Sequence, residues 1–152
     1  MKKAVCILAL IACSAGLKAQ DLPAFTFTDY QGNELSRQTI EAGRAICFVF
    51  FDMKCGHCTE LAKEIGAHLP LYANATLVWV TLETDSAKLY DFHAQFFGSA
   101  ANVHICSDVA FRFEQSFGIS SIPCSYVYNK DWKQTAALSR SFTADELLKY
   151  LF

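Results

Sequence analysis

Cys55 and Cys58 are the side chains of this sequence best placed, by type and spacing, to do chemistry, with Gly56 and His57 between them. They follow an apolar run at residues 46–51 and precede residues 59–65, which read as a helix. Two thiols at the junction of a buried strand and a helix start make a redox arrangement. Unpaired backbone N–H groups and the positive end of the helix dipole gather there. A thiolate is an anion, so that position favours it. Two intervening residues put both sulfurs on one turn, where they can close into a disulfide with little movement. Cys55 opens the turn and is expected to be the more exposed sulfur, suited to attack. Cys58 is expected inside the first turn, suited to resolution. Lys54 and a protonated His57 can each stabilise the Cys55 thiolate, so Lys54, Gly56 and His57 are the expected tuning residues. Stabilising the thiolate favours the reduced form and makes the disulfide a stronger oxidant.

The elements that must hold these thiols follow from the hydrophobic pattern. Residues 23–30 alternate around Phe25 and Phe27 and read as a short strand, with a turn at Gln31-Gly32-Asn33 and a partner strand at Glu34-Leu35. Residues 45–51 are apolar at consecutive positions, as in a central strand covered on both faces. The helix after the cysteines carries Leu61, Ala62, Ile65 and Leu69 on one stripe and is stopped by Pro70. A strand at 76–82 and a helix from Asp85 or Ser86 to about Phe97 follow, with Gly98 as the stop. A strand at 102–106 and a helix at 109–117 come next, the latter presenting Val109, Phe113 and Phe117 on one face. Residues 124–128 read as a strand, 132–138 as its returning partner, and Thr143 to Glu146 as a capping box that opens the last helix. Strand–helix–strand connections imply parallel neighbours, and the final hairpin adds an antiparallel pair.

Ile122-Pro123 stands at the opening of the 124–128 strand. Proline cannot sit within a central ladder, so it belongs at the start of a strand. Pairing of that strand with the one before Cys55 brings Pro123 beside the two sulfurs. Cys124 then lies within a few residues of them, and it is read either as a side chain that points into the core and does no chemistry or as a possible third thiol.

The N-terminus bounds the compartment. Met1-Lys2-Lys3 is a basic start, residues 4–17 are apolar, and a cleavage site is plausible near Ala19. Residues 1–20 are expected to be a secretory signal and residues 21–152 one domain, which places the protein in the periplasm. Leu10-Ile11-Ala12-Cys13 resembles a bacterial lipobox, so a membrane-anchored lipoprotein attached through Cys13 is the alternative. Of seven cysteines, five lie beyond this segment, an odd number whose spacing does not look like a disulfide scaffold. The net charge of −2, with both signs mixed along the chain, argues against a nucleic-acid partner.

Together these residues resemble the thioredoxin superfamily. Cys55-Gly56-His57-Cys58 after a buried strand, with Ile122-Pro123 opening a later one, carries the likeness. Residues 22–27, Asp29-Tyr30-Gln31-Gly32 and the inserted strand and helix at 102–117 are similar to its exported TlpA/ResA-like branch. The resemblance implies a thioredoxin-like three-layer α/β/α fold with a mixed central sheet and an N-terminal β-hairpin. It also implies a thiol–disulfide oxidoreductase with Cys55 and Cys58 as catalytic residues. Pro123 would be cis, and the backbone around Ile122 and Pro123 would dock an extended substrate peptide. Protein thiols and disulfides would be the substrates, a membrane redox partner would reset the pair, and a monomer without cofactor or metal is expected.

Three departures leave the direction of electron flow open. Lys54 stands where the family usually has Trp. Val49 stands where cytosolic thioredoxins bury an Asp. Gly56-His57 matches disulfide isomerases, where this branch often has Pro between the cysteines. With Val49 in that place the Cys58 proton needs another acceptor; Glu60 and Glu64 are the candidates, although the solvated face of the helix is the better reading for both. A peroxiredoxin would need a PxxxTxxC motif, which is absent around Cys55. A metal-binding or peptide-binding protein without redox turnover is the remaining alternative. Structural zinc wants four ligands in close pairs, and Cys106 and Cys124 do not form one. His68, His93 and His104 have no convincing constellation, and His93 is expected in packing or at the surface.

Overall fold

The chain's computed structural model describes residues 20–152. Of the expected signal segment only Gln20 is among them, so Cys6 and Cys13 lie outside the described residues. The elements run β1 (Thr26–Asp29), β2 (Glu34–Ser36), β3 (Ala45–Phe50), α1 (Gly56–Ala67), β4 (Ala75–Thr81), α2 (Ser86–Phe97), β5 (Val103–Ser107), α3 (Arg112–Ser116), β6 (Cys124–Tyr128), β7 (Gln134–Ser139) and α4 (Ala144–Leu151). A 3₁₀ turn, Leu69–Tyr72, links α1 to β4 and carries Pro70 near its start.

All the strands form one sheet in the order β2-β1-β5-β4-β3-β6-β7. β3, β4 and β5 are parallel, whereas β6, β7 and the β1–β2 hairpin join antiparallel. Every residue of β3 and β4 is buried, as the unbroken apolar run of β3 requires, and β4 takes Thr76 and Thr81 into the interior with its apolar residues. Alternation along β3 divides the interior in two. Cys47 and Val49 face a core with Cys58, Leu61, Ile65, Phe92 and Leu147, supplied by α1, α2 and α4. Ile46, Phe48 and Phe50 face a second core with Leu22, Phe25, Phe27 and Phe113. The chain steps from β3 to β4 to β5 in one direction, so the right-handed crossovers put α1 and α2 on the same face. It then returns past β3 to β6, and α3 with the extended segment around Leu22 and Phe25 covers the other face. The result is the expected three-layer α/β/α arrangement, with one helical layer much thinner than the other.

Two local differences from the sequence reading have clear causes. α3 begins at Arg112 rather than Val109, because the buried Asp108 carboxylate accepts from Arg112 N at 2.9 Å and Phe113 N at 2.8 Å. Val109 is thereby left outside the helix and 70% exposed. β7 begins at Gln134 rather than Trp132, because the Asn129 side chain accepts from both Asp131 N and Lys133 N at 3.0 Å and prolongs the turn.

Candidate active site

β3 ends at Phe50, and Phe51 N still reaches Val80 O at 3.0 Å, so the chain leaves the sheet at Asp52. Asp52 makes the turn. Its carboxylate accepts from Lys54 N at 2.7 Å and its carbonyl from Cys55 N at 3.0 Å. Cys55 is the N-cap of α1, in extended backbone, and its carbonyl accepts from Cys58 N and Thr59 N at 3.1 Å each. The helix start is thus built by main-chain geometry, with the Cys55 side chain left free of capping.

The two sulfurs are unlike. Cys55 is half-buried, whereas Cys58 is fully enclosed in the core against Val49 and Leu61. Both are free thiols. Burial first, then the hydrogen bond to the Cys55 thiol, holds the Cys58 thiol well above the ordinary range. The Asp52 main chain eases that rise and the Asp52 charge adds to it.

Pairing of β6 with β3 sets Cys124 opposite Phe50 and brings the preceding Ile122–Pro123 bond, which is cis, to the same end of the sheet. The Cys55 thiol donates to the Ile122 carbonyl at 3.9 Å, a sulfur-length contact. Ser121 Oγ donates to Pro123 O at 2.9 Å and accepts from Arg140 N at 2.7 Å, which ties this loop to the end of β7.

Lys54, Gly56 and His57 surround the mouth of the pair and are exposed. A Cβ added at Gly56 would meet nothing within 4 Å. Cys124 is not brought to the pair. It is wholly buried in the second core beside Phe50 and Phe113, on the sheet face away from Cys58, because its register with Phe50 turns it there. Glu60 and Glu64 are also placed elsewhere. Glu60 is exposed 3.8 Å from Lys63, and Glu64 accepts from Ala144 N at 3.1 Å, joining α1 to α4. The carboxylate that bears on Cys58 is Asp52, which the hydrophobic pattern did not single out. Its signal was an acidic residue ending an apolar strand just before the cysteines. His93 is buried between the Tyr30 and Phe97 rings with Nε2 3.3 Å from Ala100 O, a packing role. Among the described residues no group of three or more His, Cys, Asp or Glu side chains gathers in a metal-binding arrangement.

No protein-family model and no curated protein matches the sequence. Solved structures do match. A thiol:disulfide interchange protein of the thioredoxin family from Chlorobium tepidum TLS superposes with a TM-score of 0.71 at 16% identity, over 90% of this chain and 99% of that one. A secreted Mycobacterium tuberculosis disulfide oxidoreductase, described as homologous to E. coli DsbE, gives 0.68 at 16% identity, over 84% of this chain and 93% of that one. Peroxidoxin BcpB from Mycobacterium tuberculosis gives 0.72 at 16% identity, over 88% of this chain and 95% of that one. At such identities the likeness is one of architecture, and with the strand order and helix placement above it shows that this chain has the thioredoxin fold.

Proposed function

We propose that this protein is an exported thiol–disulfide oxidoreductase acting on protein substrates through Cys55 and Cys58. The observation that carries this reading is the contact of the half-exposed Cys55 thiol with the carbonyl of the cis Ile122–Pro123 bond, with Cys58 enclosed behind it. An extended chain laid along Ile122 and Pro123 would have its own sulfur at Cys55.

In the reducing direction the Cys55 thiolate attacks a substrate disulfide. A Cys55–substrate S–S bond forms, and the first substrate sulfur leaves as a thiolate and takes up a proton. Cys58 then loses its proton and attacks the Cys55 sulfur. The Cys55–Cys58 bond forms, the second substrate sulfur leaves, and two electrons have passed from enzyme to substrate. The oxidising direction is the reverse. Enclosure of Cys58 suits the order of these steps, because a thiol held in its protonated form does not compete with Cys55 for substrate. Lys54, Gly56 and His57 tune the thiolate, and Ile122 and Pro123 dock the substrate. Residues 1–20 direct export to the periplasm, with lipid attachment at Cys13 as the alternative, and residues 21–152 act as a monomer reset by a membrane redox partner. Secretion of the mycobacterial disulfide oxidoreductase, whose fold this chain shares, supports the export reading.

The test is turnover of an accessible protein disulfide with dithiothreitol as the electron source. Wild type is expected to be active and Cys55→Ser inactive. Cys58→Ser is expected to accumulate a mixed disulfide through Cys55. Full turnover by Cys55→Ser would overturn the mechanism.

A further inference from the structure

The fold takes hold of the chain at Gln20, one residue before the domain start read from the sequence. The Gln20 carbonyl accepts from Gln134 N at 2.8 Å, Asp21 bridges antiparallel to Lys133, and Leu22 N donates to Trp132 O at 2.9 Å. Leu22 is then buried in the second core, and its carbonyl accepts from the Arg37 guanidinium at 3.1 Å. From Gln20 onward the chain is part of the domain, laid along the entry to β7.

Signal cleavage calls for a small residue just before the cut. Ala19 is the first small residue past the apolar stretch 4–17, and the long Gln20 side chain does not suit that place. A cut after Ala19 therefore leaves Gln20 as the first residue and spares every contact just described. An N-terminal glutamine carries a nucleophile and an electrophile on one residue. Its α-amine, with a pKa of about 7.7–8.0, is in part neutral at physiological pH. Attack of that nitrogen on the side-chain amide carbon closes a five-membered ring. Gln20 is exposed and borders a cavity of about 320 Å³, which gives its side chain room to turn back on its own nitrogen. The atom that binds Gln134 is the main-chain carbonyl oxygen of Gln20, which ring closure does not consume.

We propose that Gln20 is a modification site and that the exported protein begins with this residue cyclised to pyroglutamate. The neutral α-nitrogen of Gln20 attacks its own Cδ. The N–Cδ bond forms, the Cδ–Nε2 bond breaks, and Nε2 leaves as ammonia with the proton that the attacking nitrogen gives up. No electrons are transferred and no co-reactant is needed. The inference rests on the export half of the proposed function and is independent of the redox chemistry. Cyclisation removes the terminal charge. An aminopeptidase that grips a free α-amine finds none, so Gln20 and Asp21 stay beside β7 and Leu22 stays covered.

The test is mass spectrometry of the chain expressed with its own signal in a Gram-negative host and taken from freshly lysed cells. The expected mass is that of residues 20–152 less one ammonia. Stepwise N-terminal sequencing is expected to give nothing until a pyroglutamyl peptidase has removed the first residue from the denatured chain, after which Asp21 reads first. Gln20→Ala is expected to be cut at the same bond, to carry its full mass and to read alanine in the first cycle. That variant keeps the main-chain carbonyl that Gln134 needs and touches neither core, so its folding is not in question. A block that persists in Gln20→Ala would overturn the lactam, since some other group would then cap the chain. A free amine on Gln20 would also overturn it, while leaving the cut and the export reading in place. A lipid on Cys13 or a cut at another bond would overturn the lactam together with the cut after Ala19. An uncut chain kept in the cytoplasm would overturn both the lactam and export itself.

Discussion

The Cys47 thiol is enclosed on β3 with the Ser125 hydroxyl 3.2 Å away, and burial pushes it up to about 12 despite that hydrogen bond. Folding thus favours its neutral form, relative to a free thiol at about 8.5. The contribution to stability is complete below about pH 8.5 and is lost as pH rises toward about 12, at about 1.4 kcal/mol per pH unit for this one group. Cys47→Ala is expected to cost about 1 kcal/mol at neutral pH. It should also make the decline in unfolding free energy between about pH 9 and 11 shallower, as measured by urea denaturation. A decline of unchanged slope would remove Cys47 as a cause. At this scale the sequence was legible where chemistry is local. The spacing of Cys55 and Cys58 and the position of Pro123 sufficed to bring the thiols and the proline together. Where a side chain's direction depends on register, the sequence left two readings open. Cys124 is one residue from Pro123 along the chain, yet β-strand alternation and its pairing with Phe50 send it into the opposite core. Asp52 was missed because its influence on Cys58 arises from a turn with no hydrophobic signature.

α1 and α2 meet where Gly66 allows their backbones to touch. A Cβ at Gly66 would sit 2.1 Å from Phe96 O, and the atom in the way is main chain that cannot swing aside. Gly66→Ala is therefore expected to destabilise the fold by about 1–3 kcal/mol, although Ala is the better helix former. A stability equal to wild type in denaturant unfolding would show that the helices part at little cost. No periodicity marks this contact, since the same Gly on a free helix would only lower helix propensity. Other element boundaries were legible because a side chain announces them. Thr143 Oγ1 accepts from Glu146 N at 3.2 Å and the Glu146 carboxylate accepts from Thr143 N at 2.9 Å, the box that the residue types predicted. Asp85 likewise accepts from Ala87 N at 3.0 Å and opens α2. α3 was placed too early because Val109, Phe113 and Phe117 match helical spacing, whereas Asp108, just before them, holds the first N–H groups of a helix that opens only at Arg112.

At the scale of the whole molecule, two apolar cores on either side of one sheet hold the fold, and charge contributes little. The ion pairs among the described residues, Glu41–Arg44, Glu60–Lys63, Glu83–Lys88 and Asp21–Lys133, are all at the surface. Such pairs are screened by salt and weak to begin with. The melting temperature is expected to move by no more than a few degrees between about 0.05 and 0.5 M sodium chloride. A larger fall, followed by circular dichroism, would show that these pairs matter more than their exposure allows. The same two cores sequester Cys47, Cys58, Cys106 and Cys124, and only Cys55 among the described cysteines reaches the surface in part. The folded domain is therefore its own protecting group. A spin label or fluorophore offered to the reduced native protein has one address at the mouth of the reactive loop, and uptake at any further position counts molecules that have opened.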